Sequence, residues 1–592
     1  MPPFFYILKF KPFNFSSAII NHEVITMKKL PIGVSEFPDM IKKNYYYVDK
    51  SLSIKDIIDL PGVVKLITRP RRFGKTLNIN MLKHFFSLSS KENLFEDLKI
   101  WEEKAIIREY FHQFPVIFLS FKAVKDVNWK SALKHLRIEL GDLAGNYIKM
   151  DIDADKKEKL QKLAKRDADD EEYIGILRLL TQILYETTGK KAIILIDEYN
   201  VPIEAAYAYS KKDPDYYDNM VAFMRNMLTS ALKDNEYLEF GVLTGVYRVA
   251  KEPIFSGLNN LAVFTVFENK MSDKFGFTEE EVVQILRHYG LDTREDIEAA
   301  LEWYGGYKVG DFYKLYNPWS ILNYISERLS GKEPYRASLP FWINTSSNDI
   351  IIKQIETNPQ VKENLDKLLE GKEVIQQLDP WLSLRELDRV KSGVWTLFVS
   401  SGYLTATMVD RKEYLLKIPN KEIEEFFKEV VSTWLEEIIE NYSADDMYMS
   451  LKLMLREGSY DKFKENLESF IKNSLSYYDF GFKEPERVYK AFLLGILSIA
   501  INGFEVESEM ESGYGRLDVV VYPRDKRYGR YAAIFEVKRS DDEEELERLA
   551  EEALEQIISK KYYEKMLAKG YKVIGFGIAF SGKRVVIRIS SF

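Results

Sequence analysis

The sequence predicts an α/β protein built from several domains, and three observations predict it. An apolar strand at 63–67 runs into Gly74-Lys75-Thr76 and then a helical pattern. A second unbroken apolar run, Ile193 to Ile196, ends on Asp197-Glu198. Near the C-terminus two strands, 519–522 and 531–538, bring Asp518, Glu536 and Lys538 within reach of each other. At 592 residues the chain exceeds a single core, and three or four domains are expected.

The first strand opens onto Arg69-Pro70-Arg71-Arg72-Phe73-Gly74-Lys75-Thr76. Loop amides followed by a helix N-terminus offer aligned N–H donors to anionic oxygens. In such a phosphate-binding loop Lys75 would reach the outer phosphates and the Thr76 hydroxyl would ligate Mg²⁺. The usual pattern begins with glycine, which takes a tight positive-φ turn at little cost, and Arg69 stands there instead. Pro70 is expected to supply the turn, with Arg69, Arg71 and Arg72 adding positive charge near the phosphates. The plainer alternative is a strand–turn–helix with a solvent-facing lysine.

Further strands are expected at 115–121, 192–196 and 238–244, separated by long helical patterns. That alternation implies a parallel sheet. A run as apolar as Ile193 to Ile196 suits a strand buried on both faces, and acids at its end are costly unless they meet a cation. Asp197 is therefore read as a Mg²⁺ ligand, directly or through water, and Glu198 as the group that polarises the attacking water. Thr244, at the end of the fourth strand, is either a γ-phosphate contact or an ordinary strand-end cap.

From Gly276 the pattern turns helical, and Thr278 with Glu281 reads as a capping box. Residues 276–330 are expected to form a lid over the nucleotide. The aromatic turns Tyr304-Gly305-Gly306-Tyr307 and Tyr316-Asn317-Pro318-Trp319 read as packing and turn formation. Residues 331–480 read as mixed and mostly helical, without a chemical motif. Tyr477-Tyr478 offers rings for base stacking, though core or interface packing is the more economical use.

An apolar helix is expected at 485–503, followed by the strand pair and its charged turn at 524–530. Glu536 and Lys538 lie two apart on a strand and so share a face; Asp518 begins the neighbouring strand. Two carboxylates and a lysine suit metal-assisted phosphodiester hydrolysis. Asp518 and Glu536 would hold one or two Mg²⁺ ions, while Lys538 orients or deprotonates water or stabilises the pentacovalent phosphate. The competing reading is a surface hairpin with an ordinary Glu–Lys pair. One long helix, 540–567, is expected next, with Gln556 and Tyr563 seven apart on one face. Lys560, Lys561, Lys565 and Lys569 make its end basic enough to meet a nucleic-acid backbone.

Composition narrows the alternatives. A formal charge of −8 opposes a general polyanion-coating role and leaves room for a local basic groove. With no cysteine and five histidines, disulfides, thiolate metal sites and a His-rich zinc site drop out. No apolar run reaches the roughly eighteen residues a membrane span needs, so no membrane contact and a cytoplasmic location are expected. Lys9 and Lys11 interrupt the aromatic-rich start and no small-residue cleavage site follows. Residues 1–26 are read as an extension, untranslated or disordered, ahead of Met27.

Residues from about 30 to 260 resemble the AAA-ATPase-like family of prokaryotic predicted ATPases. The resemblance rests on Leu30-Pro31-Ile32-Gly33-Val34-Ser35-Glu36-Phe37, Tyr47-Val48-Asp49-Lys50, the Arg69–Thr76 run, Ile196-Asp197-Glu198-Tyr199 and Phe255-Ser256-Gly257-Leu258-Asn259-Asn260. It makes Arg69 a family variation of the loop; Asn200 stands where relatives often carry a second Asp. Tyr316-Asn317-Pro318-Trp319 and Ser401-Gly402-Tyr403-Leu404 also resemble the family. Residues from about 484 to 580 resemble the PD-(D/E)XK nuclease type through Gly515-Arg516-Leu517-Asp518, Phe535-Glu536-Val537-Lys538, Gln556 and Tyr563.

These resemblances imply an AAA-type P-loop parallel-sheet core at 27–275, a helical lid or winged-helix-like region at 276–400 and a helical linker at 401–483. A C-terminal α/β restriction-endonuclease-like domain follows at 484–592. They imply ATP and Mg²⁺ as cofactors and Asp518, Glu536, Lys538 and Gln556 as a nuclease site. The implied partners are nucleic acid, DNA ahead of RNA, and further copies of the chain. A neighbouring copy would supply an arginine finger, for which Arg248 is a candidate. The rival expectation is an ATP-dependent switch that binds nucleic acid without cutting it.

Overall fold

The computed structural model describes residues 27–592 apart from 248–259, 311–312, 343–348, 370, 381–383, 385–386, 388–390, 441–443, 478–492, 494–496, 498–503, 509–510, 513–514, 517, 541 and 582–583. The N-terminal extension, Arg248, Phe255 to Asn259, Tyr478 and most of the expected helix 485–503 therefore lie outside the described residues.

Five parallel strands form the N-terminal sheet: β1 (Val64–Thr68), β2 (Val116–Ser120), β3 (Ala192–Asp197), β4 (Leu238–Gly245) and β5 (Leu261–Phe264). Their order is β2-β3-β4-β1-β5. The first four are the apolar runs read from the sequence. β5 was not anticipated, because it is a four-residue edge strand with only Phe264 buried. The order matters for chemistry. β4 lies between β3 and β1, pairing Ile196 with Leu243 and Ile67 with Thr244. The carboxyl ends of β1, β3 and β4 thus open at one edge, where ligands of open α/β sheets bind.

Beyond the sheet, the helices Glu279–His288, Arg294–Tyr304 and Pro318–Leu329 enclose a separate core around Val282, Ile285, Tyr304 and Tyr324. The first begins with the capping box read from the sequence, Thr278 and Glu281 each accepting from the other's backbone N–H. A small antiparallel hairpin, β6 (Tyr307–Val309) and β7 (Tyr313–Leu315), is inserted between the second and third helices. Leu30, Ile32, Tyr46 and Val48 pack on this same core, so the segment before β1 belongs partly to this helical unit. Lys50 fastens it there, its ammonium 2.7 Å from Glu281 Oε2 and 2.7 Å from the Asp273 carbonyl.

The middle of the chain contains an antiparallel sheet that the sequence reading did not include. It consists of β8 (Val374–Gln377), β9 (Thr405–Asp410) and β10 (Glu413–Lys417), in the order β8-β10-β9. Trp395, Phe398, Tyr403, Phe426 and Phe427 are buried in the same core as the N-terminal sheet. Residues 401–430 are therefore packed against the first domain rather than strung out as a linker.

In the C-terminal part β11 (Phe504–Ser508), β12 (Glu511–Ser512), β13 (Gly515–Arg516), β14 (Val519–Pro523), β15 (Tyr531–Arg539), β16 (Lys572–Ser581) and β17 (Arg584–Ser591) follow in turn. The main sheet has the order β11-β14-β15-β16-β17, with β15 and β16 parallel and the other pairs antiparallel; β12 and β13 pair apart from it. Alternation along β14 and β15 feeds two apolar layers. Val519, Val521, Ala533 and Phe535 meet Met447, Leu451, Leu455, Phe463 and Leu467, from the helices Ala444–Glu457 and Asp461–Tyr477. Val520, Ala532 and Ile534 meet Ile557 of the helix Leu546–Ser559. The core of this sheet thus reaches upstream of 484 to Met447. Among the described residues no helix is long and apolar enough to cross a membrane.

Candidate nucleotide and nuclease sites

The helix Lys75–Phe86 starts directly after Gly74, whose φ of +81° bends the loop onto the helix N-terminus. The second left-handed residue of the loop is Arg72, at φ +66°. Arg69 has no such backbone, so the position where glycine was missing does not require one. Its side chain also departs from the expectation that it adds charge beside the phosphates. Arg69 is fully buried and its guanidinium donates to the carbonyls of Thr68, Phe264, Thr265, Lys270 and Met271 at 2.7–3.3 Å. Burial pushes its pKa down to about 10, which leaves it charged at neutral pH. Arg69 is a strut between β1 and the segment after β5.

The other loop cations line a cleft of about 600 Å³ that also touches Tyr46, Tyr47, Phe277 and Trp319. Lys75 Nζ donates to the carbonyls of Arg69 and Pro70 at 3.2 and 3.1 Å and stands 3.8 Å from Glu198 Oε1. Arg71 pairs with Glu204 at 3.2 Å. Arg72 lies over the Trp319 ring, 4.4 Å from its centroid. Phe73 is buried edge-on against Tyr307 at 5.1 Å. It also approaches Gly276 so closely that a Cβ there would stand 2.7 Å from the ring.

Asp197 is fully buried at the end of β3. Thr76 donates to its Oδ2 at 2.9 Å and Thr244 to its Oδ1 at 2.6 Å. Burial and then the charge of Glu198 raise its pKa. Glu198 itself has a left-handed backbone, φ +53°, which is sterically costly for a residue with a Cβ. Its neighbours hold it there: Phe121 N–H donates to the Asp197 carbonyl, Tyr199 N–H to that of Thr244 and Val201 N–H to that of Glu198, each at 3.1 Å. Asn200 adds a further brace, accepting from Val246 N–H at 3.2 Å and donating to Glu204 at 2.5 Å. The donor set fits Mg²⁺: a buried carboxylate and a hydroxyl, both hard oxygen ligands.

In the C-terminal sheet, antiparallel pairing of Val519 with Phe535 sets Asp518 beside Glu536. The Asp518 N–H donates to Glu536 Oε2 at 3.3 Å and the Val537 N–H to Asp518 Oδ2 at 2.9 Å. The Gln556 amide donates to Glu536 Oε1 and reaches the Tyr562 hydroxyl at 3.4 Å. Asp518 and Glu536 are buried, and Lys538 is half-buried farther along β15. Two carboxylates without soft ligands suit a hard cation that keeps several waters. Among the described residues no group of three or more His, Cys, Asp or Glu is gathered as a metal site.

The long helix expected over 540–567 is broken. Leu546–Ser559 ends at Lys560, Lys561 turns left-handed at φ +55°, and a short helix Glu564–Ala568 follows. Tyr563 consequently leaves the face of Gln556 and stacks on Phe592 with centroids 4.4 Å apart, while Tyr562 takes the place beside the glutamine. Of the basic end, Lys561 pairs with Glu564 at 3.1 Å and Lys569 lies over Tyr522 at 4.3 Å.

Residues 31–255 match the family model described as predicted AAA-ATPase, and residues 484–589 match that of the PD-(D/E)XK nuclease superfamily. The chain joins an AAA-ATPase-like domain to a PD-(D/E)XK nuclease-type domain. An uncharacterized protein in the vnfD 5′ region of Azotobacter chroococcum mcd 1 is 26% identical over 573 residues, spanning 94% of this chain and 97% of its own. The likeness therefore runs through both domains and the region between them.

In the AAA-ATPase-like domain the fold brings Lys75, Thr76, Asp197, Glu198 and Thr244 to one edge, with Gly74, Arg71 and Arg72 around them. Arg69 and Pro70 each contribute a carbonyl to Lys75, while the Arg69 side chain leaves the group. The sequence reading missed Glu204, whose only signal was its place four residues after Asn200 on a helix. Lys50, in the Tyr47–Lys50 motif, has no local signal for its contact with Glu281, which lies 231 residues away. In the PD-(D/E)XK nuclease-type domain the fold unites Asp518, Glu536 and Gln556, with Lys538 farther along the same strand.

Proposed function

We propose that this protein hydrolyses ATP at the AAA-ATPase-like domain and cuts nucleic acid, DNA ahead of RNA, at the PD-(D/E)XK nuclease-type domain. One observation carries the first half. The loop hydroxyl of Thr76 and the strand-end hydroxyl of Thr244 meet on one buried carboxylate, Asp197, beside Glu198 and Lys75. Sheet register alone sets Thr244 beside Asp197; what supports the reading is that a hydroxyl from the first turn of the helix after Gly74 reaches the same carboxylate.

In this reading Lys75 exchanges the carbonyls of Arg69 and Pro70 for phosphate oxygens. Glu198, held rigid by its strained turn, takes the proton of the attacking water. Mg²⁺ between Thr76 and Asp197 would neutralise charge on the phosphates, and a divalent ion on Asp518 and Glu536 would activate water at the phosphodiester. Gln556 fixes the rotamer of Glu536, and Lys538 supplies a cation beside the scissile phosphate. ATP gates the cut only where it favours one arrangement of the domains over another. The cytoplasm and a homo-oligomeric state go with this reading.

A second reading is a nucleotide-dependent binder that does not cleave. It is favoured by the hydrogen bonds that already occupy Asp518 and Glu536. Plasmid nicking in Mg²⁺ or Mn²⁺ with and without ATP, alongside phosphate release, separates the two. Cleavage lost in Glu536→Ala and phosphate release lost in Glu198→Gln are expected. Binding without nicking in every nucleotide state supports the binder.

A further inference from the structure

The three arginines of the loop have three different fates. Arg69 is consumed by main-chain carbonyls and Arg72 rests on Trp319, at the lid. Arg71 and Arg72 both line the cleft and both feel the charge of Glu198, but Arg71 is the one held by a second carboxylate there, Glu204. Two cation–carboxylate pairs therefore stand side by side there: Lys75 with Glu198 at 3.8 Å and Arg71 with Glu204 at 3.2 Å. Glu204 is oriented by Asn200, and Asn200 is tied to the backbone just beyond Thr244. The holder of Arg71 is thus built into the same turn that places Glu198.

We propose that Arg71 is a catalytic residue that stabilises the γ-phosphoryl group from within the same chain, and that Glu204 parks it until nucleotide arrives. The inference rests on the ATPase reading above and deepens it. In the reaction the water oxygen bonds to the γ-phosphorus and its proton passes to Glu198. The bond to the β–γ bridging oxygen breaks, and its electron pair leaves on ADP. Negative charge spreads over the γ-oxygens as this happens. A guanidinium presents two parallel N–H donors to such oxygens, which an ammonium cannot do. Phosphate oxygens carry more charge than the single carboxylate of Glu204, so they draw Arg71 from its parked position. No arginine from a second copy is then required.

Steady-state ATP hydrolysis by the full chain tests this. Arg71→Ala is expected to lower kcat by about 10³-fold with KM for ATP changed no more than about threefold, the pattern of an interaction made in the transition state. Arg71→Lys should recover little of the loss, and it carries the same test if the alanine variant does not fold. Glu204→Gln should lower KM, because the competing anion is gone, with kcat no lower than wild type. Turnover per chain should be independent of chain concentration. A kcat that survives in both Arg71 variants, a Glu204→Gln variant that fails in step with them, or turnover that rises with concentration overturns the proposal. Those outcomes leave the ATPase reading intact so long as wild type hydrolyses ATP and Glu198→Gln does not. A wild type without phosphate release removes both.

Discussion

The Ser320 hydroxyl lies 2.8 and 3.0 Å from the two carboxylate oxygens of Glu422, a fully buried acid 102 residues away. The Trp342 N–H donates to the same carboxyl at 2.9 Å, and the Trp342 ring nitrogen donates to Tyr307 at 3.0 Å. Tyr307 packs on Phe73, and Trp319, next to Ser320, carries Arg72. Glu422 therefore closes a ring of contacts that begins and ends on the loop before the helix Lys75–Phe86, at Phe73 and Arg72, and passes through the helix Pro318–Leu329. It stands at the start of the helix Lys421–Glu440.

Burial raises the Glu422 pKa from 4.5 to about 8. Below about pH 4.5 both folded and unfolded chains hold the proton and the group adds no pH dependence. Between 4.5 and about 8 the unfolded chain releases it while the folded one does not, so stability falls as pH rises. The slope from this one group approaches 1.4 kcal/mol per pH unit, roughly. Glu422→Gln should flatten thermal unfolding midpoints across this window and raise them at pH 8. An unchanged slope would show that Glu422 is ionised in the fold.

Arg69 makes a different demand on stability. Its removal leaves up to four buried carbonyls, and the part-buried one of Lys270, short of a donor, and an unsatisfied buried group costs about 1–3 kcal/mol. Arg69→Met should destabilise the nucleotide-free protein by about 3 kcal/mol or more, read as an earlier urea transition of the N-terminal domain. Unfolding like wild type, combined with lost ATP binding, would return Arg69 to the phosphates.

Gly245 is the quiet partner of the strained Glu198. A Cβ at 245 would stand 2.3 Å from Asn200 Oδ1 and 2.7 Å from the Tyr199 ring. These are the residues that hold the turn after Asp197. Gly245→Ala should therefore lower kcat for ATP by tenfold or more, about 1.4 kcal/mol of misplacement, in a chain that still folds. Wild-type turnover in that variant would mean that the turn at 198 yields without consequence.

Much of this arrangement was legible in the residues, for a physical reason. β1, β3 and β4 are central strands, so apolar residues dominate them and the polar residues at the ends of β3 and β4 stand out: Asp197 and Thr244. What was hidden depends on distant partners or weak local signals. The carbonyls that hold Arg69 come from residues 195 to 202 positions downstream, apart from that of Thr68. β5 and β8 are four residues long and half-exposed, too short for a period to emerge. The break after Ser559 carries no glycine or proline, only a lysine in a left-handed conformation. Sequence spacing on an unbroken helix therefore put the wrong tyrosine beside Gln556.

That tyrosine offers the last test. Gln556 donates to Glu536, so in the proposed nuclease reading it orients a carboxylate that would hold the metal without touching the metal itself. Loss of such an outer partner typically weakens metal affinity by about 10–100-fold. Gln556→Ala should therefore raise the Mg²⁺ concentration needed for half-maximal plasmid nicking by that factor, with activity recovered at high Mg²⁺. Tyr562→Phe removes only a 3.4 Å contact to the same amide and should shift the requirement in the same direction, by less. Tyr563→Phe keeps its ring on Phe592 and should nick as wild type does. If Tyr563→Phe raises the Mg²⁺ requirement and Tyr562→Phe does not, the helix continues through Lys561 in solution and the geometry around Glu536 must be redrawn.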